Sequence, residues 1–68
     1  MKTFTLTSEY IEMNKLIKFL QLVETGGQAK LAILDGFVTV NGETEFRLRR
    51  KLRKGDVMNF DGTEIEII

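Results

Sequence analysis

The sequence of 68 residues contains no cysteine and no histidine. Without these side chains no disulfide can form, and a structural zinc site built from Cys and His is excluded. The usual general base and the most reactive nucleophile of enzymes are missing as well. The composition therefore favours binding over catalysis, and we expect no enzyme activity, no metal site and no cofactor.

Long apolar runs are also missing. The longest uninterrupted one covers residues 31–34, whereas a membrane-spanning helix needs about 20 apolar residues. The first five residues, Met-Lys-Thr-Phe-Thr, lack the apolar segment of a secretion signal. We therefore expect a cytoplasmic protein. A chain of this length buries only about 60% of its unfolded surface, which predicts a single small domain over residues 1–68.

Positive charge is concentrated in one segment, residues 47–54, which we call the basic run. Six of its eight residues are basic and none is acidic, while the rest of the chain has four basic and ten acidic residues. The basic residues of the run are Arg47, Arg49, Arg50, Lys51, Arg53 and Lys54. Charges on an exposed strand can also serve to prevent aggregation, but one or two suffice for that. The cluster predicts a surface that binds polyanions.

No aromatic residue lies within the basic run, whose two other residues are Leu48 and Leu52. Proteins that bind single strands usually stack bases on aromatic side chains beside their charges. The pattern therefore favours recognition of the shape and backbone of folded RNA.

Apolar residues at helical spacing predict a first helix over about residues 13–23. Its apolar face contains Met13, Leu16, Ile17 and Leu20, widened by Phe19, Leu22 and Val23. Lys15 and Lys18 lie on the opposite face, where they either extend the basic surface or are simply solvated.

A second helix is predicted over about residues 27–35. Thr25 and Gln28 have the spacing of a capping box at its start, and Gly36 is suited to end it in the left-handed conformation. The apolar face is formed by Ala29, Ala32 and Ile33, broadened by Leu31 and Leu34.

The start of this second helix is also a candidate anion site. Its first N–H groups and the helix dipole attract negative charge, and Gly26 and Gly27 allow a phosphate to approach closely. Gln28 and Lys30 could add a hydrogen bond and a charge. Taken alone, these residues are better explained as a capped helix entered through a flexible turn, and only the family resemblance given below favours the anion site.

Strands are predicted at residues 2–6, 37–40, 43–48, 57–60 and 63–68. Asn41-Gly42 and Asp61-Gly62 predict tight hairpin turns. In the third strand, Thr44, Phe46 and Leu48 would share one face. The expected fold is α+β, with two short helices packed on a small, mostly antiparallel sheet of four to five strands.

Alternating acidic residues, Glu43 with Glu45 and Glu64 with Glu66, could suggest hydrolysis or a hard metal. Solvated strand faces explain them better. Among the aromatic residues, Phe37 is the candidate for stacking on a base, because it faces away from Val38 and Val40. Tyr10 and Phe60 are expected in the core.

Several of these segments resemble a known RNA-binding domain, named after ribosomal small-subunit protein four and called here the S-four domain. The order of two short helices, a hairpin and a basic segment is similar to that domain, and within it to the small stand-alone bacterial proteins of the YaaA/YbcJ type, over about residues 10–60. The matching segments are Gly26-Gly27-Gln28-Ala29-Lys30, Val40-Asn41-Gly42-Glu43, Arg47, Arg50-Lys51-Leu52 and Gly55-Asp56. The chain departs from the pattern at Lys30, where many members have Arg, and at Leu48 and Arg49, where Arg and Gly are common.

The resemblance implies the αL motif, a helical hairpin with its adjoining loop, and a non-catalytic role on structured RNA such as ribosomal or transfer RNA. A role in ribosome assembly and association with ribosomal proteins would fit it, and we expect a monomer. The implied contacts are Lys15, Lys18, Gly27, Gln28, Lys30 and the six basic residues of the run. The alternative is a protein-interaction module whose basic run docks an acidic ribosomal or replication protein.

Overall fold

A computed structural model describes all residues, 1–68, as two helices and seven short strands. The elements are β1 (Lys2–Phe4), β2 (Ile11–Glu12), α1 (Met13–Phe19), α2 (Gly26–Leu34), β3 (Val38–Val40), β4 (Glu43–Thr44), β5 (Lys51–Leu52), β6 (Val57–Phe60) and β7 (Thr63–Ile67). No helix is both long and apolar enough to cross a membrane.

Five strands form a mixed sheet in the order β1-β7-β6-β3-β4, and β2 and β5 form a separate pair. The only parallel neighbours are β1 and β7, with Thr3 opposite Glu66. All other pairs are antiparallel. The predicted α+β class and the mostly antiparallel sheet are therefore confirmed, with the two-stranded sheet as an addition.

The helices cover one face of the sheet around a single hydrophobic core. Its completely buried members include Met13, Leu16 and Ile17 of α1 and Ile65 and Ile67 of β7. Each aliphatic side chain buried in this way stabilises the fold by about 1.5–3 kcal/mol. The outer parts of the predicted apolar faces are exposed, however, because Phe19, Leu31 and Leu34 lie on the solvent side of their helices.

Helix α1 ends at Phe19, four residues earlier than the sequence predicted. Gln21 adopts a left-handed conformation with φ of 57°. The N–H of Leu22 donates to the carbonyl of Ile17 at 3.1 Å, and the N–H of Gln21 donates to that of Lys18 at 3.0 Å. This is a Schellman ending. The sequence did not predict this helix end, because glutamine stands at the position usually occupied by glycine.

Helix α2 and the hairpin turns agree with the sequence within a residue. Both hydrogen bonds of the Thr25–Gln28 capping box are present, and Gly36 has a φ of 83°. Asn41 and Gly42 both have positive φ, 53° and 86°, as a two-residue hairpin turn of this type requires.

The predicted strand over residues 43–48 is wrong beyond Thr44. The N–H of Glu45 still donates to the carbonyl of Val38 at 3.0 Å, but the Glu45 side chain turns inward and is only 9% exposed. The expected solvated position for Glu45 is therefore also wrong. Phe46 turns outward instead, and the chain leaves the five-stranded sheet at this point.

Candidate nucleic-acid interface

The basic run is anchored to the core and to the start of α1. Leu52 is completely buried, and Leu48 is partly buried against the core. The carbonyls of Leu48 and Arg50 accept hydrogen bonds from the N–H groups of Asn14 at 3.0 Å and Met13 at 2.8 Å. These N–H groups belong to the first turn of a helix and have no partner within it. The backbone carbonyls of the run therefore accept hydrogen bonds from the N–H groups at the start of α1, while the charged side chains of the run point outward.

Glu45 holds two arginines of the basic run. Its carboxylate accepts from Nε and Nη2 of Arg47, both at 3.0 Å, from the backbone N–H of Arg47 at 3.0 Å and from Nη1 of Arg50 at 2.6 Å. The hydrogen bonds from Arg47, joined by that from Arg50, lower the pKa of Glu45 to about 2 although burial opposes this. The carboxylate is therefore ionised at neutral pH and fixes both guanidinium groups in place.

A second carboxylate, Glu12, joins the basic run to α1. Its oxygens lie 2.9 Å from Nε of Arg49 and 3.3 Å from Nζ of Lys15. The hydrogen bond from Arg49, supported by Lys15, keeps the pKa of Glu12 below its usual value. Glu12 thus holds Lys15 of α1 close to Arg49 of the basic run.

The end of the run is fixed by Asp56 and Asn41. The Asp56 carboxylate accepts from the backbone N–H of Arg53 at 2.8 Å and from Nδ2 of Asn41 at 3.0 Å. Burial raises the pKa of Asp56, but these hydrogen bonds outweigh it and keep the pKa below its usual value. Oδ1 of Asn41 in turn accepts from the N–H of Val57 at 2.9 Å. The Asn-Gly and Gly-Asp segments, which are 12 or more residues apart in the sequence, therefore form one hydrogen-bonded unit.

The outward side chains of the run enclose a shallow depression of about 420 Å³. It is lined by Arg47, Arg49, Arg50 and Lys51 and by no hydrophobic residue. Lys51, Arg53 and Lys54 form no ion pair with a carboxylate. Guanidinium groups match the geometry of phosphate oxygens, and ammonium groups add charge. The arrangement can therefore bind phosphate groups, with excess positive charge left after the internal pairs are formed.

Lys18 extends this surface along α1. With Lys15 and Phe19 it lines a depression of about 280 Å³. Lys15 lines this depression and also contacts Glu12, so the cations of the basic run and of α1 lie near one another, with the Glu12 carboxylate between Arg49 and Lys15.

The predicted contacts at the start of α2 are not joined to the basic run by any ion pair, hydrogen bond or shared depression. Gly27 and Lys30 are exposed. Oε1 of Gln28 already accepts from the N–H groups of Glu24 at 2.7 Å and Thr25 at 3.3 Å. Gln28 therefore caps the helix with its oxygen and has only its amide N–H groups to offer a ligand.

Tyr10 lies beside the basic run and not in the core, where the sequence placed it. As a whole residue it is 37% exposed. Nζ of Lys51 lies 4.8 Å from the ring centroid, and Cζ of Arg53 lies 5.6 Å from it. Exposed contacts of this kind contribute about 0.5–1 kcal/mol each. No sequence pattern indicated this position, because at least 40 residues separate Tyr10 from its neighbours in the run.

Phe60 packs against the core and Phe37 is 51% exposed, as predicted. Phe46 was expected to share a strand face with Thr44 and Leu48, but it lies beyond the end of β4 and is 56% exposed. Its ring lies 3.9 Å from the place where Gly36 would carry a Cβ atom. No group of three or more Asp and Glu residues comes together as a metal site.

Comparison with known proteins relates this arrangement to a family. The family model described as the S4 domain (S-four) matches residues 4–68. YbcJ of Escherichia coli (strain K12) is 36% identical over 69 residues, covering 100% of this chain and 99% of YbcJ. The "Probable ribosome maturation protein RlbA" of Bacillus subtilis (strain 168) is 33% identical over 58 residues, covering 85% of this chain and 82% of RlbA.

Solved structures agree with these matches. The solution structure of Escherichia coli YbcJ, described as containing an αL motif involved in RNA binding, superposes on all of this chain and 87% of that one with a TM-score of 0.75. A pseudouridylate synthase of 23% identity has the same fold over 82% of this chain and 24% of its own, with a TM-score of 0.74. The chain therefore belongs to the S4 domain family and has its αL-motif fold.

Proposed function

We propose that this protein binds structured RNA, most directly ribosomal RNA, without catalysing a reaction. The observation that carries the proposal is the depression formed by Arg47, Arg49, Arg50 and Lys51, whose walls are entirely cationic. Buried Glu45 and half-buried Glu12 hold the side chains of the three arginines before any ligand binds. Less conformational entropy is then lost on binding than for free arginines.

The pattern of charge suits a polyanion better than a small anion. Arg53 and Lys54 continue the cationic surface past the depression, and Lys15 and Lys18 continue it along α1. A single phosphate would use only part of this surface. A nucleic-acid backbone carries phosphates at regular intervals that can contact successive cations, and each contact releases counterions.

The relatives support RNA as the polyanion. The YbcJ structure is described by its αL motif involved in RNA binding, and RlbA is named for ribosome maturation. We therefore infer a role on ribosomal RNA during ribosome assembly. The cytoplasmic location and the monomeric state remain predictions from the sequence. Gly27, Gln28 and Lys30 remain predicted contacts, which would reach a second segment of the RNA.

The test compares two substitutions with the same change of charge, Lys54→Glu in the basic run and Lys2→Glu on β1. Arg50→Glu is unsuitable because it would place a carboxylate against buried Glu45. Affinity for a ribosomal RNA fragment is measured by fluorescence anisotropy over a series of salt concentrations. We expect wild-type binding to weaken steeply with salt, and Lys54→Glu to weaken it and lower the slope of log affinity against log salt by about 1.

Lys2→Glu is the matched control and should bind nearly as the wild type does. Equal effects of the two substitutions would show that only overall charge matters and would contradict a site at the basic run. RNA crosslinked to the tagged protein in cells, when sequenced, identifies the target. Partners retained after ribonuclease treatment, together with a flat RNA background, would instead favour the docking of an acidic protein.

A further inference from the structure

The fold places one aromatic ring next to a basic run that contains none. Lys51 and Arg53 both lie over the ring of Tyr10, and Tyr10 as a whole residue is 37% exposed. We propose that Tyr10 is a stacking platform for one unpaired base of the bound RNA. This rests on the proposed RNA-binding function and specifies it, since the RNA must then present an unstacked nucleotide next to its phosphate contacts.

The β2–β5 pair creates this position. Ile11 lies opposite Leu52 and Glu12 lies opposite Lys51. This register brings Tyr10, just before β2, next to Arg53, just after β5. Leu52 is completely buried. Because side chains alternate along a strand, its neighbours Lys51 and Arg53 point away from the core, on the side where Tyr10 lies. The hydroxyl of Ser8 donates to the carbonyl of Tyr10 at 2.9 Å, which fixes the chain just before the pair.

Tyr10 also lines a depression of its own, of about 420 Å³. Such a volume is within the range of small-molecule sites, about 300–1,000 Å³. The lining includes Arg49 and Lys15, which pair with Glu12 in the same depression and have further N–H groups for the phosphate of the nucleotide. Ser8 and Glu9 also line it and can form hydrogen bonds with the edge of a base. Aromatic surface, cations and hydrogen-bonding groups are thus present in the combination that unpaired nucleotides require.

A simpler role for Tyr10 would be to hold Lys51 and Arg53 in place for phosphates. That role predicts that loss of the ring weakens binding to every RNA alike. Stacking predicts instead that the loss depends on an unpaired base. The two roles are therefore separated by comparing RNAs that differ only in that feature.

The experiment uses two RNA hairpins, one fully paired and one with the same stem interrupted by a single bulged nucleotide. The protein has one tyrosine and no tryptophan, so its intrinsic emission and its tyrosine ring NMR signals report Tyr10 alone. At saturation, we expect the bulged hairpin to quench this emission and shift the ring signals upfield, and the paired hairpin to do so far less. Emission is corrected for RNA absorbance with free tyrosine at the same RNA concentration.

Two variants complete the test. Tyr10→Leu removes the ring, and we expect it to lower affinity for the bulged hairpin by about 5- to 150-fold, the loss typical of one base–aromatic stack, with little change for the paired hairpin. Tyr10→Phe keeps the ring and should retain most of the affinity. Circular dichroism checks that both variants are folded, and the wild-type signals remain decisive if Tyr10→Leu is not.

The outcomes distinguish the two proposals. Salt-dependent binding of both hairpins without a change in the Tyr10 signals, or an equal loss on both in Tyr10→Leu, would refute the stacking site and leave the RNA-binding function standing. Failure of the wild type to bind either hairpin or ribosomal RNA would refute the RNA-binding function and the stacking site with it.

Discussion

Replacement of Glu45 by glutamine removes the charge that holds Arg47 and Arg50 while keeping the shape of the side chain. A fall in pKa from 4.5 to about 2 corresponds to about 3 kcal/mol of stability at 1.36 kcal/mol per pH unit. Because the side chain of Arg47 is 72% exposed, solvent screening reduces this contribution. We expect Glu45→Gln to lower the free energy of unfolding by about 1–2 kcal/mol at pH 7.

The effect should depend on pH in a defined direction. The pKa of Glu45 is lower in the folded protein than in the unfolded chain, so its contribution is present above about pH 4.5 and is lost as the pH falls towards 2. The pKa values of Glu12 and Asp56 are also lowered, so their protonation in acid destabilises the wild type and the variant alike. The difference between wild type and variant therefore isolates Glu45.

Urea unfolding followed by circular dichroism at pH 7, 5, 4 and 3 measures this difference. With a urea dependence of about 1 kcal/mol per M for a small protein, the midpoint of the variant should be lower by about 1–2 M at pH 7, and the gap should narrow in acid. Glu43→Gln, an exposed neighbour without an ion pair, is the matched control and should change little. A gap that stays constant from pH 7 to pH 3, or one equal to that of Glu43→Gln, would refute the argument.

Two further predictions concern the framework of the basic run. Asn41→Gly keeps the permitted φ of 53° but loses the side-chain hydrogen bonds to Asp56 and Val57, for a loss of about 1–2 kcal/mol in unfolding free energy. Asn41→Ala should lose about 1 kcal/mol more because of its Cβ in a left-handed conformation, and equal midpoints for the two variants in urea would contradict this. Leu52→Ala should lower stability by about 2–5 kcal/mol, since Leu52 is completely buried. Thermal unfolding that leaves its midpoint unchanged would show that the run is not anchored through this residue.

Local signals in the sequence were sufficient for much of the fold. The capping box of Thr25 and Gln28, the left-handed Gly36 and the Asn41-Gly42 turn all depend on residues within a few positions of each other. Strand β6 was predicted with its observed bounds, because alternation and flanking turns define it locally. The concentration of positive charge in residues 47–54 is likewise a property of the sequence alone.

The tertiary structure determined which side chains lie next to these charges. Local alternation placed Glu45 on a solvated strand face, but it is buried and pairs with Arg50. Glu12 contacts Arg49, which is distant from it in the sequence. The position of Tyr10 under Lys51 and Arg53 depends on the pairing of β2 with β5. The sequence thus determined that a cationic segment exists on an S4-type scaffold. Only long-range packing determined which of its cations pair with carboxylates, which remain unpaired, and that an aromatic ring lies beside them. The reason is that contacts between side chains 37 or more residues apart depend on the register of paired strands and not on spacing along the chain.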